Sequence, residues 1–316
     1  MPTLELKLEH SEIKNQAAAI SIKNVMYATD FSCASEAALP YATAMCRRFG
    51  STLHVVHVLP DTGPLIMAGG LDYVSLDTLN HDAQIVAQEK IKRIANRLGQ
   101  IPFWTYLRHG EVWTNLRGIV AKNRVDLIVL GTRGRGGLGK LVLGSVAENI
   151  LRHAACPVLT VGPSVCGRAR LRQLHGDRRE LAPVELELRQ ILYATNFAAA
   201  SLRAVQNAIS LAEHFRARLT MVHLVEGDSR LGTPPETIDG MRELQEHILE
   251  AALAHAPELV TDFGSAWHCI VKKAEERDAD LIVMGAHSAD GTTHLPWSTV
   301  HQVVTHATCP VLTVPA

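Results

Sequence analysis

Short, nearly continuous apolar runs alternate with longer amphipathic stretches along this chain. In the first half, the apolar runs predict strands at residues 25–28, 53–59, 103–108, 126–130 and 157–161. Strands without a polar face are typical of a parallel sheet that is buried on both sides. The pattern therefore predicts an α/β fold with helices on both faces of a mostly parallel sheet.

Amphipathic stretches lie between these strands. Residues 30–49, 82–98, 111–123 and 146–153 carry apolar side chains at helical spacing. Residues 61–80 hold clusters of Gly, Pro and Asp, which predict a loop over the edge of the sheet. Each of the first four strands is thus followed by a helix, as crossover connections between parallel strands require.

The second half of the chain repeats the first. The segment Cys-Pro-Val-Leu-Thr-Val at residues 156–161 returns at residues 309–314, and Asp-Leu-Ile-Val at residues 126–129 returns at residues 280–283. Because the repeated segments keep their order, the chain is predicted to hold two copies of one domain. The predicted units are an N-terminal arm at residues 1–20, a first domain at residues 21–163, a linker at residues 164–187 and a second domain at residues 188–316.

Length and composition fit two ordinary domains in a reducing compartment. The 316 residues suffice for two cores, and a formal net charge of −1 gives no general electrostatic reason to bind nucleic acid or an acidic membrane. Six cysteines without a C-x-x-C pair fit the cytoplasm better than a disulfide framework or a zinc site. No stretch has the character of a membrane span or a secretory signal. We therefore expect a cytoplasmic protein that does not bind nucleic acid or a membrane. We also expect no metal site formed by its own side chains.

A glycine-rich segment follows the predicted strand at residues 126–130. It reads Gly131-Thr-Arg-Gly134, then nine residues, then Gly144-Ser145 at the start of a predicted helix. Glycines let backbone N–H groups approach an anion, and a helix N-terminus adds unpaired donors and the positive end of a dipole. Ser145 and Glu148 match an S-x-x-E capping box. The segment predicts a phosphate site, and hence a nucleotide site.

Two other phosphate loops overlap this segment. Residues 134–139 match G-x-G-x-x-G, but they follow a late strand, and the next strand ends without the acidic residue of a dinucleotide fold. Gly134, Gly139 and Lys140 begin a P-loop, but Leu141 stands where Ser or Thr would hold Mg²⁺. A glycine-rich loop without any ligand is the remaining alternative.

The chain resembles the tandem universal stress proteins of the UspA superfamily. The resemblance rests on Ala-Thr-Asp-Phe-Ser at residues 28–32 and on G-x2-G-x9-G-S at residues 131–145, the signature of the ATP-binding branch. It covers residues 22–162 and 188–315. It implies two Rossmann-like domains, each a five-stranded sheet in the order 3-2-1-4-5. It also implies ATP, with Mg²⁺, above the carboxyl ends of the first and fourth strands.

The last strands of the two halves, Val158–Val161 and Val311–Val314, are nearly identical and apolar. Apolar strands at sheet edges invite pairing, so we expect them to join the halves as an intramolecular pseudo-dimer. The resemblance implies that this contact is antiparallel. The sequence leaves open whether the whole chain also forms a homodimer.

The resemblance also assigns residues to the adenine end of the site. By position, Ala28, Asp30 and Val58 would surround the adenine, with Asp30 accepting from its amino group. Leu130 and Gly131 would line the adenine and ribose side. The alternative for Asp30 is a purely structural role as the N-cap of the first helix.

At the phosphate end, the resemblance assigns Arg133 and Gly134 to the approach of the phosphates. Gly144, Ser145 and Val146 would bind them through backbone and hydroxyl groups. The alternative for Ser145 is a role only as the N-cap of its helix.

The second half departs from this pattern. Asn196 replaces Asp30, Ser288 replaces Gly134, and Trp297 stands at the position of Gly144, preceded by Pro296, which lacks a backbone donor. A tryptophan there occupies the space that a phosphate needs. We therefore predict one ATP per chain, bound in the N-terminal half.

The resemblance implies a stress-response binding or switch protein that also contacts a protein partner, which the sequence does not identify. No nucleophile–base–acid arrangement is evident, so no catalytic residue is assigned and any ATP hydrolysis is expected to be slow. His57 and His223 recur at matching strand positions, which favours core histidines over ligands. The alternatives are a slow nucleotide hydrolase or phosphotransferase that uses the glycine loop, and a structural interaction module without a ligand.

Overall fold

The structure is a computed structural model that describes residues 20–60, 73–132, 143–165, 171–173, 184–225, 235–249, 251, 253–286 and 299–315. The first half alternates strands and helices, which are β1 (Asn24–Ala28), α1 (Cys33–Phe49), β2 (Thr52–Leu59), α2 (Tyr73–Ala95), β3 (Phe103–His109), α3 (Val112–Asn123), β4 (Leu127–Gly131), α4 (Ser145–His153) and β5 (Val158–Val161). All its strands match runs that the apolar pattern predicts.

Between the halves lie a short 3₁₀ turn, Pro163–Val165, and two antiparallel strands, β6 (Leu171–Gln173) and β7 (Val184–Leu186). The second half then repeats the order of the first. Its elements are β8 (Gln190–Thr195), α5 (Ala199–Phe215), β9 (Arg218–Val225), α6 (Pro235–Leu249), β10 (Glu258–Phe263), α7 (Ala266–Glu276), β11 (Leu281–Ala286), α8 (Thr299–His306) and β12 (Val311–Pro315).

The ten main strands form one continuous sheet. Its order is β10-β9-β8-β11-β12-β5-β4-β1-β2-β3, so each half has the predicted order 3-2-1-4-5. Within each half all neighbouring strands are parallel. Of the described residues, no helix is both long and apolar enough to cross a membrane.

The two halves join where β5 pairs with β12 in antiparallel register, as predicted. Leu159 lies opposite Leu312 at the centre of the join. Two side-chain hydrogen bonds add to the ladder in a reciprocal way, since Thr160 Oγ1 donates to the Val311 carbonyl (3.1 Å) and Thr313 Oγ1 donates to the Val158 carbonyl (3.3 Å). Both apolar edges are therefore covered inside one chain.

Helices cover both faces of the sheet, and each face has its own apolar core. One core contains Tyr27 and Tyr193 and is covered by α1, α2, α5 and α6, whereas the other contains Ile128 and Ile282 and is covered by α3, α4, α7 and α8. Each core runs across the join, because the first includes Leu159 and Leu312, and the second includes Val158 and Val311.

The segments that precede β1 and β8 cross between the halves. Ile20 N donates to Ser210 Oγ of α5 at 2.7 Å, so the start of the first half is bound to the second. In return, β7 packs against α1, and Leu186 and Leu188 are buried beside that helix. Each half thus supplies a segment that packs against a helix of the other half.

One predicted loop is wrong in part. Residues 61–80 were expected to lack regular structure, but α2 begins at Tyr73. The Gly and Pro residues of that stretch all precede Tyr73, and none occurs between Tyr73 and Ala95, so nothing interrupts the helix. Residues 61–72 lie outside the described residues.

Candidate functional site

The carboxyl ends of β1 and β4 lie side by side, at the point where the chain leaves the sheet in opposite directions. Ala28 of β1 is opposite Leu130 of β4. The start of α4 is held at the same edge, because Gly144 N donates to the Thr132 carbonyl at 2.9 Å. The switch point of a doubly wound sheet is where such folds bind ligands. The structure thus brings Ala28, Leu130 and Gly144 together.

Apolar side chains form one side of this edge. Val58 and Leu130 are buried, and Ala28 packs against the same core cluster. All three lie on the face of the sheet covered by α3 and α4. They place apolar side chains next to the polar strand ends, as in the mainly apolar lining of small-molecule sites.

A hydrogen-bonded turn positions Asp30 just beyond β1. Asp30 Oδ1 accepts from Ser32 N at 3.0 Å, and Thr29 Oγ1 accepts from Phe31 N at 3.0 Å. Phe31 has φ +61°, a left-handed conformation that a bulky residue adopts only where its surroundings fix it. The turn therefore holds the half-buried Asp30 carboxylate in one place.

Asp30 is not the N-cap of α1, so that alternative is wrong. The N-cap is Ser32, whose hydroxyl accepts from Ser35 N at 3.2 Å. Ser35 also interacts through its own hydroxyl with Thr29 Oγ1 at 3.0 Å. The sequence analysis did not identify the role of Thr29 and Ser35 in this turn. The recurrence of Thr29 as Thr195 in the second half could have indicated it.

Position 131 requires a glycine because β4 packs closely against the first turn of α1. A Cβ at this position would lie 2.5 Å from the Ala34 carbonyl carbon and 2.7 Å from Ser35 N in the first turn of α1. Gly285, its counterpart in the second half, meets the Ala200 carbonyl carbon at 2.5 Å in the same way. Strand and helix approach closely in both halves, which explains why this glycine persists where other glycines of the signature are replaced.

The capping box predicted at the start of α4 is wrong. The N-cap is Gly144 and has no side-chain hydrogen bond, Ser145 is the first helical residue, and Glu148 pairs with Arg152 at 2.7 Å instead. Ser145 is therefore not a cap either. Within the described part of the chain, its exposed hydroxyl forms no hydrogen bond. Val146 is also exposed, so the first turn of α4 presents its backbone donors without a side-chain cap.

Gly144 has φ −66°, which any residue can adopt. Its glycine is therefore not required by the backbone conformation. Arg133 and Gly134 lie outside the described residues, as do Ser288, Pro296 and Trp297 of the second half.

The second half builds its corresponding turn with the same kinds of hydrogen bond, and Phe197 N donates to Thr195 Oγ1 at 3.0 Å. Asn196 Oδ1 accepts from Ala198 N at 3.1 Å and from the Ser201 hydroxyl at 2.7 Å. The N-cap of α5 is Ala198, which has no side-chain acceptor, whereas the N-cap of α1 is Ser32. The amide oxygen is consequently directed toward α5.

A further difference lies on the helices that cover these turns. Lys90 Nζ of α2 is 5.3 Å from the centre of the Phe31 ring. The equivalent position in α6, judged from the matching spacing of buried residues, is Gly240, and a Cβ there would lie 3.1 Å from the Phe197 ring. The first half therefore carries a cation beside its turn, where the second half carries a close apolar contact.

The two recurring histidines are core residues. His57 Nδ1 donates to the Thr29 carbonyl at 2.7 Å, and His223 Nδ1 donates to the Thr195 carbonyl at 3.0 Å. Each ring also packs on the aromatic ring that follows the turn, at 4.2 Å for Phe31 and 4.3 Å for Phe197. Among the described residues, no group of three His, Cys, Asp or Glu side chains lies close enough to hold a metal ion.

His223 leads to a prediction about the pH dependence of stability. Burial lowers the pKa of its imidazole, and the hydrogen bond to the Thr195 carbonyl opposes this only in part. The unfolded chain, with a histidine pKa of about 6.5, takes up more protons as the pH falls through that value, so the free energy of unfolding decreases. We expect His223→Gln to reduce this decrease, measured by urea denaturation at about pH 7.5 and about pH 5.5.

His255, which is exposed, provides the matched control. His255→Gln should show the pH dependence of the unaltered protein. An equal loss of stability on acidification in His223→Gln and in the unaltered protein would contradict the assignment.

The sequence profile of the Universal stress protein family matches residues 21–162 and 187–315. A universal stress protein of Mycolicibacterium smegmatis is 24% identical over 302 residues, which cover 92% of this chain and 96% of that protein. One from Methanocaldococcus jannaschii is 31% identical over 142 residues, 44% of this chain and 81% of that protein. The crystal structure of a universal stress protein from Archaeoglobus fulgidus has a TM-score of 0.66 at 21% identity, with 94% of this chain and 99% of that one covered.

Proposed function

Because the chain belongs to the universal stress protein family, we propose that its N-terminal half binds ATP, with Mg²⁺, at the edge where β1 and β4 end. The observation that carries the proposal is the uncapped first turn of α4, which Gly144 N fixes at 2.9 Å from the Thr132 carbonyl beside the end of β4. Unpaired N–H groups and the positive end of the helix dipole favour a phosphate there.

The adenine end of the proposed site is formed by side chains already held in place. Ala28, Val58 and Leu130 provide the apolar surface, and Gly131 continues it toward the ribose. The turn after β1 presents the Asp30 carboxylate, which can accept from the exocyclic amino group. This combination favours adenine over a base that offers an acceptor at the same place.

The phosphate end is proposed to use the backbone donors of Ser145 and Val146, together with the Ser145 hydroxyl. The Gly144 N–H already donates to the Thr132 carbonyl, so Gly144 is proposed to leave room for the phosphates and not to bind them through its backbone, as the resemblance had implied. Arg133 and Gly134 are proposed to join from the preceding loop. Mg²⁺ would be held mainly by phosphate oxygens and water, as is usual for a cation that keeps much of its hydration shell.

We further propose that the chain works as a cytoplasmic binding or switch protein in a stress response, in contact with a protein partner. Asp30 is already committed to a turn, and the nearby His57 donates from Nδ1 to a backbone carbonyl. The Asp30 carboxylate is proposed to face the adenine, and His57 is buried against the Phe31 ring, so neither is proposed as a base for a water molecule at the phosphates. Phosphate release in the presence of Mg²⁺ at a rate typical of enzymes would favour the hydrolase alternative instead.

The test is a calorimetric titration of the nucleotide-free protein with ATP and Mg²⁺. We expect one ATP per chain. Gly144→Val places a branched side chain in the proposed path of the phosphates and should weaken binding at least tenfold, about 1.4 kcal/mol. Valine accepts φ −66° but is a poorer N-cap than glycine, so the free energy of unfolding without nucleotide should fall by no more than about 1 kcal/mol.

A matched pair of variants separates the halves. Ser145→Ala should weaken binding, whereas Ser298→Ala, at the aligned position of the second half, should leave it unchanged. Two equivalent sites per chain, or full affinity in Gly144→Val, would contradict the proposed site.

A further inference from the structure

The strand β3, at one end of the sheet, has an open edge. It pairs with β2 on one side, and no other described strand pairs with it. Gly110 N, just beyond the strand, donates to the Leu59 carbonyl at 2.9 Å, and in a parallel ladder every second residue bonds to the same neighbour. Residues 104, 106 and 108 therefore turn their backbone groups toward β2. The N–H groups that point outward, without an acceptor among the described residues, belong to Phe103, Thr105, Leu107 and His109.

The outward carbonyls of β3 are only partly occupied. The Arg108 guanidinium donates to the Leu107 carbonyl at 3.2 Å, and Asn115 Nδ2 donates to the His109 carbonyl at 3.0 Å. Both bonds are exposed to solvent, and a carbonyl oxygen can accept a second hydrogen bond. The edge therefore still offers the alternating donors and acceptors that an added strand needs.

Large side chains are exposed along the same edge. Trp104 is 65% exposed, which is the highest value among the large apolar side chains that the structure describes, and Phe103 is 38% exposed. Successive residues of a strand point to opposite faces, so apolar surface is solvated on both faces of the edge. An unpaired edge with exposed apolar side chains is typical of a strand that pairs with another chain.

The other end of the sheet, at β10, carries features that oppose such pairing. Acidic residues occupy the positions that Trp104 and Arg108 hold in β3, as the registers with β9 and β2 indicate. They are Glu258 and Asp262. If two copies of β10 paired about their midpoint, Glu258 would lie opposite Asp262, and like charges opposite each other are destabilising. Asp262 Oδ1 also accepts from Phe263 N at 2.8 Å, which occupies an outward donor.

The strand β3, in contrast, is complementary to itself in the antiparallel direction. A two-fold axis at Tyr106, the middle residue, places each outward residue of one copy opposite an outward residue of the other, so N–H groups meet carbonyls. The same register puts Trp104 opposite Arg108 as a non-hydrogen-bonded pair, in which side chains approach closely. A guanidinium on an indole ring is a favourable pair. The Arg108 guanidinium already lies on this face, 5.0–6.0 Å being the usual range, at 5.5 Å from the centre of the Tyr106 ring.

We propose that this edge is an interface between two copies of the chain, which pair β3 with β3 in antiparallel register and form a two-fold dimer. The interface is isologous, so it closes after two copies. Pairing of β3 with β10 of the next copy would instead continue without end. It is opposed by Pro257, which has no N–H, and by the bonded Phe263 N. The interface lies apart from the proposed ATP site, so the two proposals are independent.

The test is sedimentation velocity of the full chain, without nucleotide, over a range of protein concentrations. We expect a reversible equilibrium between monomer and dimer. Thr105→Pro should raise the dissociation constant of the dimer about tenfold or more, because proline removes an outward N–H near the centre of the interface. Its bonds to β2 should persist, because the Thr105 N–H does not face that strand. The matched control is Thr261→Pro, which removes an outward N–H from β10 and should leave the dimer unchanged.

An exchange of charge tests the register. Trp104→Lys should also weaken the dimer about tenfold or more, because the lysine would lie opposite Arg108 of the other copy. Adding Arg108→Glu to Trp104→Lys should restore the dimer, because lysine and glutamate would then lie opposite each other. Within one copy the two positions are about 13 Å apart along the strand, too far to form an ion pair.

Three results would overturn the proposal. One is a chain that stays monomeric at every concentration, which would leave an extended segment of another protein as the occupant of the edge. Another is an unchanged dimer in a Thr105→Pro variant that circular dichroism shows to be folded, and the third is a double variant that associates no better than Trp104→Lys. If Thr105→Pro does not fold, Trp104→Lys and the double variant decide the question.

Discussion

Gly131→Ala should lower the free energy of unfolding by about 3 kcal/mol, the upper part of the usual cost of overpacking. The added Cβ would lie 2.5 Å from the Ala34 carbonyl carbon and 2.7 Å from Ser35 N. Both are backbone atoms of α1, which cannot swing aside as the end of a flexible side chain can. The strand and the helix must separate, and the core between them loosens.

Urea denaturation followed by circular dichroism measures this loss. The matched control is Gly118→Ala, in α3, where an added Cβ meets no atom within 4 Å. That variant should gain about 0.5–1 kcal/mol, because alanine favours a helix more than glycine does. Gly285→Ala should resemble Gly131→Ala. Wild-type stability in Gly131→Ala would show that strand and helix are not so closely packed.

Leu159→Ala should cost about 3 kcal/mol and should destabilise both halves together. Leu159 is 3% exposed and faces Leu312 across the join. Removing its side chain leaves a void, and large-to-small changes of this kind cost about 2–5 kcal/mol. Because Leu159 and Leu312 belong to one core cluster that also includes residues of β4 and β11, the loss of packing should affect both of these strands.

Hydrogen exchange measured separately for peptides of the two halves is the appropriate readout. Both halves should exchange faster in Leu159→Ala. The control is Leu79→Ala on α2, whose side chain is 51% exposed, and its effect should stay within about 0.5 kcal/mol. Faster exchange confined to the first half would mean that the halves unfold independently.

The sequence predicts the strands and their repetition well, because each strand is a compact apolar run buried on both faces. The strand order came from the family resemblance, since no local pattern states which strands are neighbours. The join of the two halves could be anticipated because two nearly identical apolar strands were expected at sheet edges, and its antiparallel direction came from the family resemblance. The start of α2 could not be predicted, because the Asp residues within residues 72–82 are typical of loops, although they can also occur in a helix.

The candidate site shows where local rules fail. Asp30 and Ser32 can both cap a helix, and so can Gly144 and Ser145. The choice between them depends on tertiary hydrogen bonds, from Thr29 to Ser35 in one case and from Gly144 N to Thr132 in the other. Lys90 gave no signal in the sequence, because it lies on a helix whose register is defined only by its packing on the sheet.

The antiparallel junction of β5 with β12 lies inside a single polypeptide, and this has an evolutionary consequence. Two identical chains joined in the same way would carry every substitution twice, so a change at one ligand site would be a change at both. In a duplicated and fused gene each substitution occurs once. Asn196 can therefore differ from Asp30 while the shared junction keeps both halves in one architecture, and the two copies are free to diverge in what they bind.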